Sequence, residues 1–135
     1  MKSTSICVLF LLFFTTFGFA QEIIGIPKES AAEKVSKIMK GFNLDTSSKN
    51  ESFNYLKFVN SSGTKTLIVF FSEDNISTHT RMVCDFSEYD FILEEFNKKY
   101  KKLSKTSWEF SFNDEKYIIN LEEKEWYFVV TTKKK

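Results

Sequence analysis

The chain has 135 residues, of which 19 are basic and 18 acidic, so its formal net charge at pH 7 is only +1. It lacks the basic excess that is typical of proteins that bind nucleic acid or anionic membranes, and neither is expected as a partner. Aromatic residues make up 17% of the chain, which favours a sheet-rich core, because aromatic side chains suit half-buried strands.

The first 20 residues have the features of a secretion signal. Lys2 precedes an apolar run over 6–14, and Gly18-Phe19-Ala20 provides a small-x-small cleavage pattern. The run is shorter than the roughly 20 residues of a membrane-spanning helix, and no later segment comes close. We predict an exported protein, periplasmic or extracellular, that is cleaved after Ala20, with residues 21–135 forming a single domain and no transmembrane segment.

Cysteine usage points to a core without an internal disulfide. Cys7 is removed with the signal, which leaves Cys84 alone in the mature chain. Cys7 lies at the start of the apolar run instead of following it, so it is not a lipidation site. We expect Cys84 to be buried as a small apolar side chain, with pairing between chains as the alternative.

The first half of the domain is predicted to contain one helix. After an extended lead over 21–26, an amphipathic pattern predicts a helix over 27–42, with Ser30 and Glu33 as a capping box and Gly41 at its end. Its apolar face comprises Ala31, Ala32, Val35, Ile38, Met39 and Phe42.

A polar stretch over 43–51 then leads into three predicted strands, 53–59, 65–72 and 76–85. The middle strand is apolar on both faces over 67–71, so it is either covered on both sides or has one face that meets a partner. The third strand alternates, with Thr80, Met82 and Cys84 on one face and His79, Arg81 and Val83 on the other.

The second half is predicted to begin with a helix that has Ser87 as its N-cap and Phe86 and Phe91 as a hydrophobic staple. Its charges run from acidic to basic, which complements the helix dipole. The inner face of this helix comprises Ile92, Leu93, Phe96, Tyr100 and Leu103.

Three more short strands close the chain, and their inward residues alternate as Trp108, Phe110, Phe112, then Tyr117, Ile119, Leu121, then Trp126, Phe128, Val130. The element order is αβββ twice, over about 27–85 and 86–132. We predict an α+β fold in which the two αβββ units join into one antiparallel sheet with both helices packed on one face.

The chain resembles a class of small exported bacterial proteins in its layout. It has an export signal ending in Phe-Ala-Gln, then a helix and a three-stranded meander, and then a second helix that opens with Ser-Glu-Tyr-Asp-Phe-Ile and ends in Asn97-Lys98-Lys99-Tyr100. At the level of fold, the layout is similar to the tandem units of beta-lactamase-inhibitor-like proteins and PepSY-type domains, which bind other proteins. Small outer-membrane assembly lipoproteins share the unit but need a lipid-bearing cysteine that is missing here. The resemblance implies a protein-binding role and transfers no functional residue.

No catalytic, cofactor or metal site is predicted. His79 is the only histidine, and its odd spacing from Cys84 places the two on opposite faces of a strand, which argues against a Cys-His dyad. Gly25, Gly41 and Gly63 do not form a phosphate-binding loop. Carboxylate pairs such as Asp85 with Glu88, or Glu122 with Glu123, fall at turns and helix starts, where capping and solvation account for them.

The apolar surplus on the second face of the sheet suggests an interface. Ile68, Phe70, Tyr127 and Val129 have the opposite parity from the presumed core residues. The leading hypothesis is therefore a non-catalytic, inhibitor-like module that binds a protein or peptide through a sheet face or edge. A carrier for a small apolar ligand and a small hydrolase are the alternatives, and the partner's identity and the oligomeric state stay open.

Overall fold

The computed structural model describes residues 20–47 and 52–135. Of the predicted signal segment, only Ala20 falls within the described residues. The helices are α1 (Ala20–Ile23), α2 (Lys28–Ile38) and α3 (Tyr89–Lys99), and a 3-10 turn, Phe86–Glu88, precedes α3. The strands are β1 (Phe42–Leu44), β2 (Tyr55–Asn60), β3 (Lys65–Phe71), β4 (Ser77–Asp85), β5 (Lys101–Ser104), β6 (Ser107–Phe112), β7 (Glu115–Glu123) and β8 (Tyr127–Lys134).

The eight strands form one antiparallel sheet with the order β1-β2-β3-β4-β8-β7-β6-β5. Each set of four strands is a meander of neighbours in sequence, and the last strand of one meander pairs with the last strand of the other, with Met82 opposite Val130. The predicted α+β class, with one antiparallel sheet, is confirmed. Strands β4 and β8 therefore lie at the centre of the sheet, far from either edge.

Alternate strand residues build the hydrophobic core. One row across the sheet joins Phe58, Leu67, Met82, Val130 and Leu121, and the next joins Val69, Thr80, Thr132, Ile119 and Trp108, with every one of these residues buried. We call this side of the sheet the core face. Ile23, Val35 and Phe96, from the three helices, belong to the same hydrophobic cluster. The predicted placement of Thr80, Met82 and Cys84 on the buried face of their strand is confirmed.

The segment before α2 is anchored in the core, so the predicted extended lead over 21–26 is wrong. Ile23 at the end of α1 is fully buried. The Ser77 hydroxyl donates to the carbonyl of Ile23 and accepts a hydrogen bond from the backbone N–H of Ile26 at 3.0 Å. Burial of the Ile23 side chain and these bonds to β4 favour a helical turn over an extended chain.

Helix α2 is shorter than predicted and is capped differently. Pro27 is its N-cap residue, with no side-chain cap bond, so the predicted capping box is wrong. Glu33 instead pairs with Lys37 at 3.0 Å on the helix surface. The helix ends at Ile38, and Gly41 at φ +89° turns the chain into β1, so that Phe42 is a strand residue.

The start of α3 also departs from the prediction. The Asp85 carboxylate, not Ser87, provides the cap, and it accepts from the Ser87 N–H at 2.9 Å before the 3-10 turn. Phe86 stacks on Tyr89 with ring centroids 5.2 Å apart, and Phe91 is 60% exposed, so the predicted staple is wrong. The extra turn rotates Phe91 away from the position that a helix starting at Ser87 would give it.

Two short strands account for the difference between six predicted strands and eight observed ones. Strand β1 begins at Phe42, where a helix end was expected, and β5 contains Leu103, which is exposed instead of lying on the inner face of a helix. Apolar spacing in runs of three or four residues does not distinguish a helix from a strand. Trp126 is also exposed, because β8 begins only at Tyr127.

Candidate interaction surface

The strand residues of the other parity form the second side of the sheet, which we call the outer face. Its rows follow the register across the strands: Tyr55, Phe70, His79, Lys133, Ile118 and Glu109; then Lys57, Ile68, Arg81, Thr131, Asn120 and Ser107; then Val59, Thr66, Val83, Val129 and Glu122. Most of these side chains are half-buried. The outer face thus mixes apolar, aromatic and charged groups, in contrast to the core face.

An aromatic stack crosses the outer face of strands β2, β3 and β4, near the end of β3 and the start of β4. The rings of Phe70 on β3 and His79 on β4 are 4.5 Å apart and within 5° of parallel. Tyr55 on β2 lies 6.3 Å from Phe70 at a tilted angle. The three rings cross three neighbouring strands, and this packing holds side chains that also face solvent in a defined arrangement.

The environment of His79 keeps its imidazole neutral at pH 7. Burial is the main cause that lowers the pKa of His79 below its ordinary value of 6.5, and the positive charges of Arg81 and Lys133 lower the pKa further. The Nδ1 atom of the ring lies 2.9 Å from the Thr78 hydroxyl. The stack is therefore an uncharged platform next to two cations.

The charges of the outer face are unevenly compensated. Glu109 pairs with Lys135 at 2.9 Å and with Lys101 at 3.9 Å, and the hydrogen bond from Lys135 is the main cause that lowers the pKa of its carboxyl. Glu122 pairs with Lys124 at 2.6 Å.

Two cations of the outer face, Arg81 and Lys133, differ from the paired lysines. Among residues 20–47 and 52–135, no hydrogen bond or ion pair to the side chain of Arg81 or Lys133 is found. Both residues lie on the central strands β4 and β8. The middle of the outer face therefore carries positive charge that its own acids do not contact.

The four residues that the sequence suggested for an interface do share the outer face. Ile68 and Phe70 are half-buried, and Tyr127 is 41% exposed. Val129, however, is only 2% exposed, because Val83 and Glu122 flank it on the neighbouring strands. Val129 therefore offers almost no contact area, and the role of the set as an interface stays a prediction.

His79 and Arg81 lie next to these positions on the outer face, but the sequence alone predicts no interface role for either residue. Strand β4 runs between β3 and β8, so His79 and Arg81 lie between Ile68 and Phe70 on one side and β8 on the other. The alternation of β4 already placed both residues on this face. Their central position follows from the pairing of β4 with β8, which the sequence alone does not specify.

A second group of aromatic side chains lies where β4 ends and β8 begins. Tyr127 pairs in register with Asp85, and the preceding residue, Trp126, is 77% exposed. Phe86, which follows Asp85, is 42% exposed and stacks on Tyr89. Tyr89 in turn packs edge-on against Phe128 of the core face, so Phe86 lies on the helix side of the sheet, whereas Tyr127 lies on the outer face.

The residues considered for catalysis do not converge. Cys84 is buried on the core face, and burial raises the pKa of its thiol to about 12, so the reactive thiolate does not form at neutral pH. His79 lies on the opposite face, as the spacing predicted. Glu88 pairs with Lys65 at 3.3 Å and Asp85 caps the 3-10 turn, so both carboxylates have structural partners. Within the described residues, no cluster of His, Cys, Asp or Glu could hold a metal ion.

Among the described residues, a small and partly open cavity lies next to the core. It measures about 20 Å³ and is lined by residues that include Ala20, Met39, Thr80, Phe96 and Thr132. Pockets for small organic ligands are usually several hundred Å³. This cavity alone is too small for such a ligand, and the apolar-ligand carrier stays an untested alternative.

Comparisons with protein-family models, curated proteins and solved structures give no match to this chain. None of the helices found in residues 20–47 and 52–135 is long and apolar enough to cross a membrane. The likeness to beta-lactamase-inhibitor-like proteins and PepSY-type domains therefore stays a prediction. Function is best argued from the outer face itself.

Proposed function

We propose that the protein is an exported, non-catalytic binding module that holds a protein or peptide partner on the outer face of its sheet. The observation that carries the proposal is the stack of Tyr55, Phe70 and His79 across three strands, half-buried yet facing solvent. Aromatic side chains are enriched at the centres of protein interfaces, where they fill large contact areas. Because packing already restricts these rings, less conformational entropy is lost when a partner binds them.

The arrangement of the helices supports this choice of face. Val35 of α2 and Phe96 of α3 belong to one cluster with core-face residues such as Leu67. We infer that both helices cover the core face, and that each helix with the four strands that follow it forms one of two tandem units. The outer face is then the broad sheet surface available to a partner.

The exposed aromatic residues at one end enlarge this surface. Tyr127 lies on the outer face, and Trp126 precedes it at the turn between β7 and β8. A partner that covers the stack and reaches this turn would contact rigid aromatic groups at both places, which gives a larger and more specific interface than the stack alone.

Capture experiments with matched variants test the proposal. The protein is immobilised and used to capture partners from its native envelope or medium, in parallel with Phe70→Glu and Tyr127→Glu on the outer face and Phe91→Glu on α3. We expect the partners that bind wild type and Phe91→Glu to be lost with both outer-face variants, because a carboxylate in the contact area must be desolvated without compensation.

Folding must be measured for each variant by circular dichroism and thermal melts, since Phe70 is half-buried. Tyr127 is 41% exposed, so its variant provides the test if Phe70→Glu does not fold. Retention of the same partners by folded Phe70→Glu and Tyr127→Glu proteins would refute binding through the outer face.

A further inference from the structure

Arg81 has an unusual place in this protein. It is the only arginine, while the other 18 basic residues are lysines. It lies on β4 at the centre of the sheet, with Ile68 and Thr131 as its register neighbours on β3 and β8. Arginine differs from lysine in its planar guanidinium, which binds both oxygens of a carboxylate at once. The one residue that can form this bidentate contact thus lies in the middle of the candidate surface.

The guanidinium of Arg81 keeps its hydrogen-bonding capacity for another molecule. Within the described residues it has no hydrogen bond or ion pair, although its side chain is half-buried. The pKa of the Glu122 carboxyl is lowered mainly by the hydrogen bond from Lys124, at 2.6 Å, and only in smaller part by the charge of Arg81. The acids on the same face are thus held by lysines.

The surroundings of Arg81 add to its attraction for an anion. Lys133 lies diagonally across from Arg81 on β8, and it is paired in register with His79. His79 and Phe70 form an apolar platform two residues along the strands from Arg81 and Ile68. A half-buried position next to such a platform weakens the competition from water and strengthens a charged hydrogen bond.

We propose that Arg81 anchors a carboxylate from an acidic segment of a protein partner, while the Phe70–His79 stack receives an apolar or aromatic side chain next to that carboxylate. This inference rests on the proposed function and specifies the chemistry of the partner. Charge complementarity is its basis: the central cations lack partners, and the outer-face acids Glu109 and Glu122 are paired.

The distribution of charge favours an acidic peptide segment over a continuous polyanion. Glu109 follows His79, Lys133 and Ile118 in one row, which places it roughly 14 Å from His79 across three strand spacings. A nucleic acid laid along the sheet would bring its phosphates close to Glu109 and Glu122. A peptide with one or two carboxylates can contact Arg81 and avoid both.

The experiment selects random displayed peptides on the wild-type protein and measures the affinity of the selected synthetic peptides for it and for variants. Arg81→Gln removes the charge, Arg81→Lys keeps the charge without the bidentate geometry, and Lys98→Gln on α3 is the charge-matched control. We expect enrichment of Asp or Glu beside an aromatic residue, and a loss of affinity of roughly tenfold to hundredfold with Arg81→Gln, the effect of one charged hydrogen-bonded pair. Arg81→Lys should give a smaller loss and Lys98→Gln none.

A double-mutant cycle identifies the contact. Replacing the peptide's Glu by Gln, or its Asp by Asn, should weaken binding to wild type but not to Arg81→Gln, because the partner charge is then already absent. Circular dichroism confirms that each variant is folded.

The outcomes separate the two proposals. If the selected peptides depend on Phe70 and Tyr127 but show no acidic preference and bind Arg81→Gln equally well, the inference about Arg81 is wrong and the outer face is still the binding surface. If no selected peptide depends on any outer-face residue, the proposed function itself fails. If duplex DNA binds in an Arg81-dependent way and more tightly than the selected peptides, the partner is a polyanion and the inference is overturned.

Discussion

The two faces of the sheet use alternate residues of the same strands, yet they have opposite characters. On the core face, the row from Val69 through Thr80 and Thr132 to Trp108 is at most 5% exposed. On the outer face, the next row, from Phe70 through His79 to Lys133, is half-buried or exposed. Since backbone, twist and register are shared, the difference comes from the side chains and what covers them. The core face stabilises the fold, and substitutions on the outer face should cost less stability.

Two phenylalanines on neighbouring strands give the largest expected contrast. Phe58 on the core face is 1% exposed, so Phe58→Ala should reduce the free energy of unfolding by about 3–5 kcal/mol. Phe70→Ala on the outer face should cost only about 1–2 kcal/mol, because the ring is half-exposed and loses mainly its stacking with His79. Urea denaturation measures both. Equal losses would mean that the outer face is as well covered as the core.

Two serines provide a smaller contrast between polar groups. Ser77 is 3% exposed and bonds the backbone of Ile23 and Ile26, so Ser77→Ala should cost about 1–3 kcal/mol by leaving the Ile26 N–H without this acceptor. Ser107 on the outer face donates to Asn120 at 2.7 Å but is only half-buried, and Ser107→Ala should cost about 0.5 kcal/mol. Thermal melts at one pH compare the two. A larger loss for Ser107→Ala would show that solvent does not replace its bond.

The smallest expected effect is a pH dependence from His79. Burial, followed by the charges of Arg81 and Lys133, lowers the pKa of His79 in the folded protein below 6.5. The unfolded chain then binds more protons, so the free energy of unfolding should fall as the pH drops from about 6.5 through the folded pKa. Because His79 is the only histidine, His79→Gln should flatten this part of the stability curve. Denaturation between about pH 7 and pH 5 tests it.

Four carboxyl groups with lowered pKa values act at more acidic pH than His79. The pKa values of Asp45, Asp85, Glu109 and Glu122 are lowered from ordinary values of 3.8 to 4.5, so their contributions are lost at more acidic pH. Identical curves for wild type and His79→Gln would contradict the assignment of His79 to a partly buried, positively charged site.

Strong alternation made several strands predictable from the sequence. In β4, Thr80, Met82 and Cys84 point to the core as expected, and the inward residues Ile119 and Leu121 of β7 are buried. The caps and the short edge strands were not predictable in this way. Leu103 fits a helical stripe by spacing, and only the end of α3 at Lys99 and pairing with β6 make it a strand residue.

The candidate surface was predictable in part. Parity placed Ile68 and Phe70 on the outer face, but the burial of Val129 depends on Val83 and Glu122, which lie on strands whose pairing the sequence did not specify. Arg81 was on the same predicted face as His79. Its central position follows only from the pairing of β4 with β8, and this pairing joins segments far apart in the chain.

The pairing of β4 with β8 also has a consequence for the order of folding. From β2 to β4 and from β5 to β8, neighbouring strands meet across short turns, and such hairpins close with little loss of chain entropy. The seam between β4 and β8 closes a loop that contains α3 and the strands β5 to β7, so its contacts form at a higher entropic cost. The hairpins should therefore form first and the seam last. The outer face, with His79 and Arg81 beside β8, is then complete only in the final step of folding.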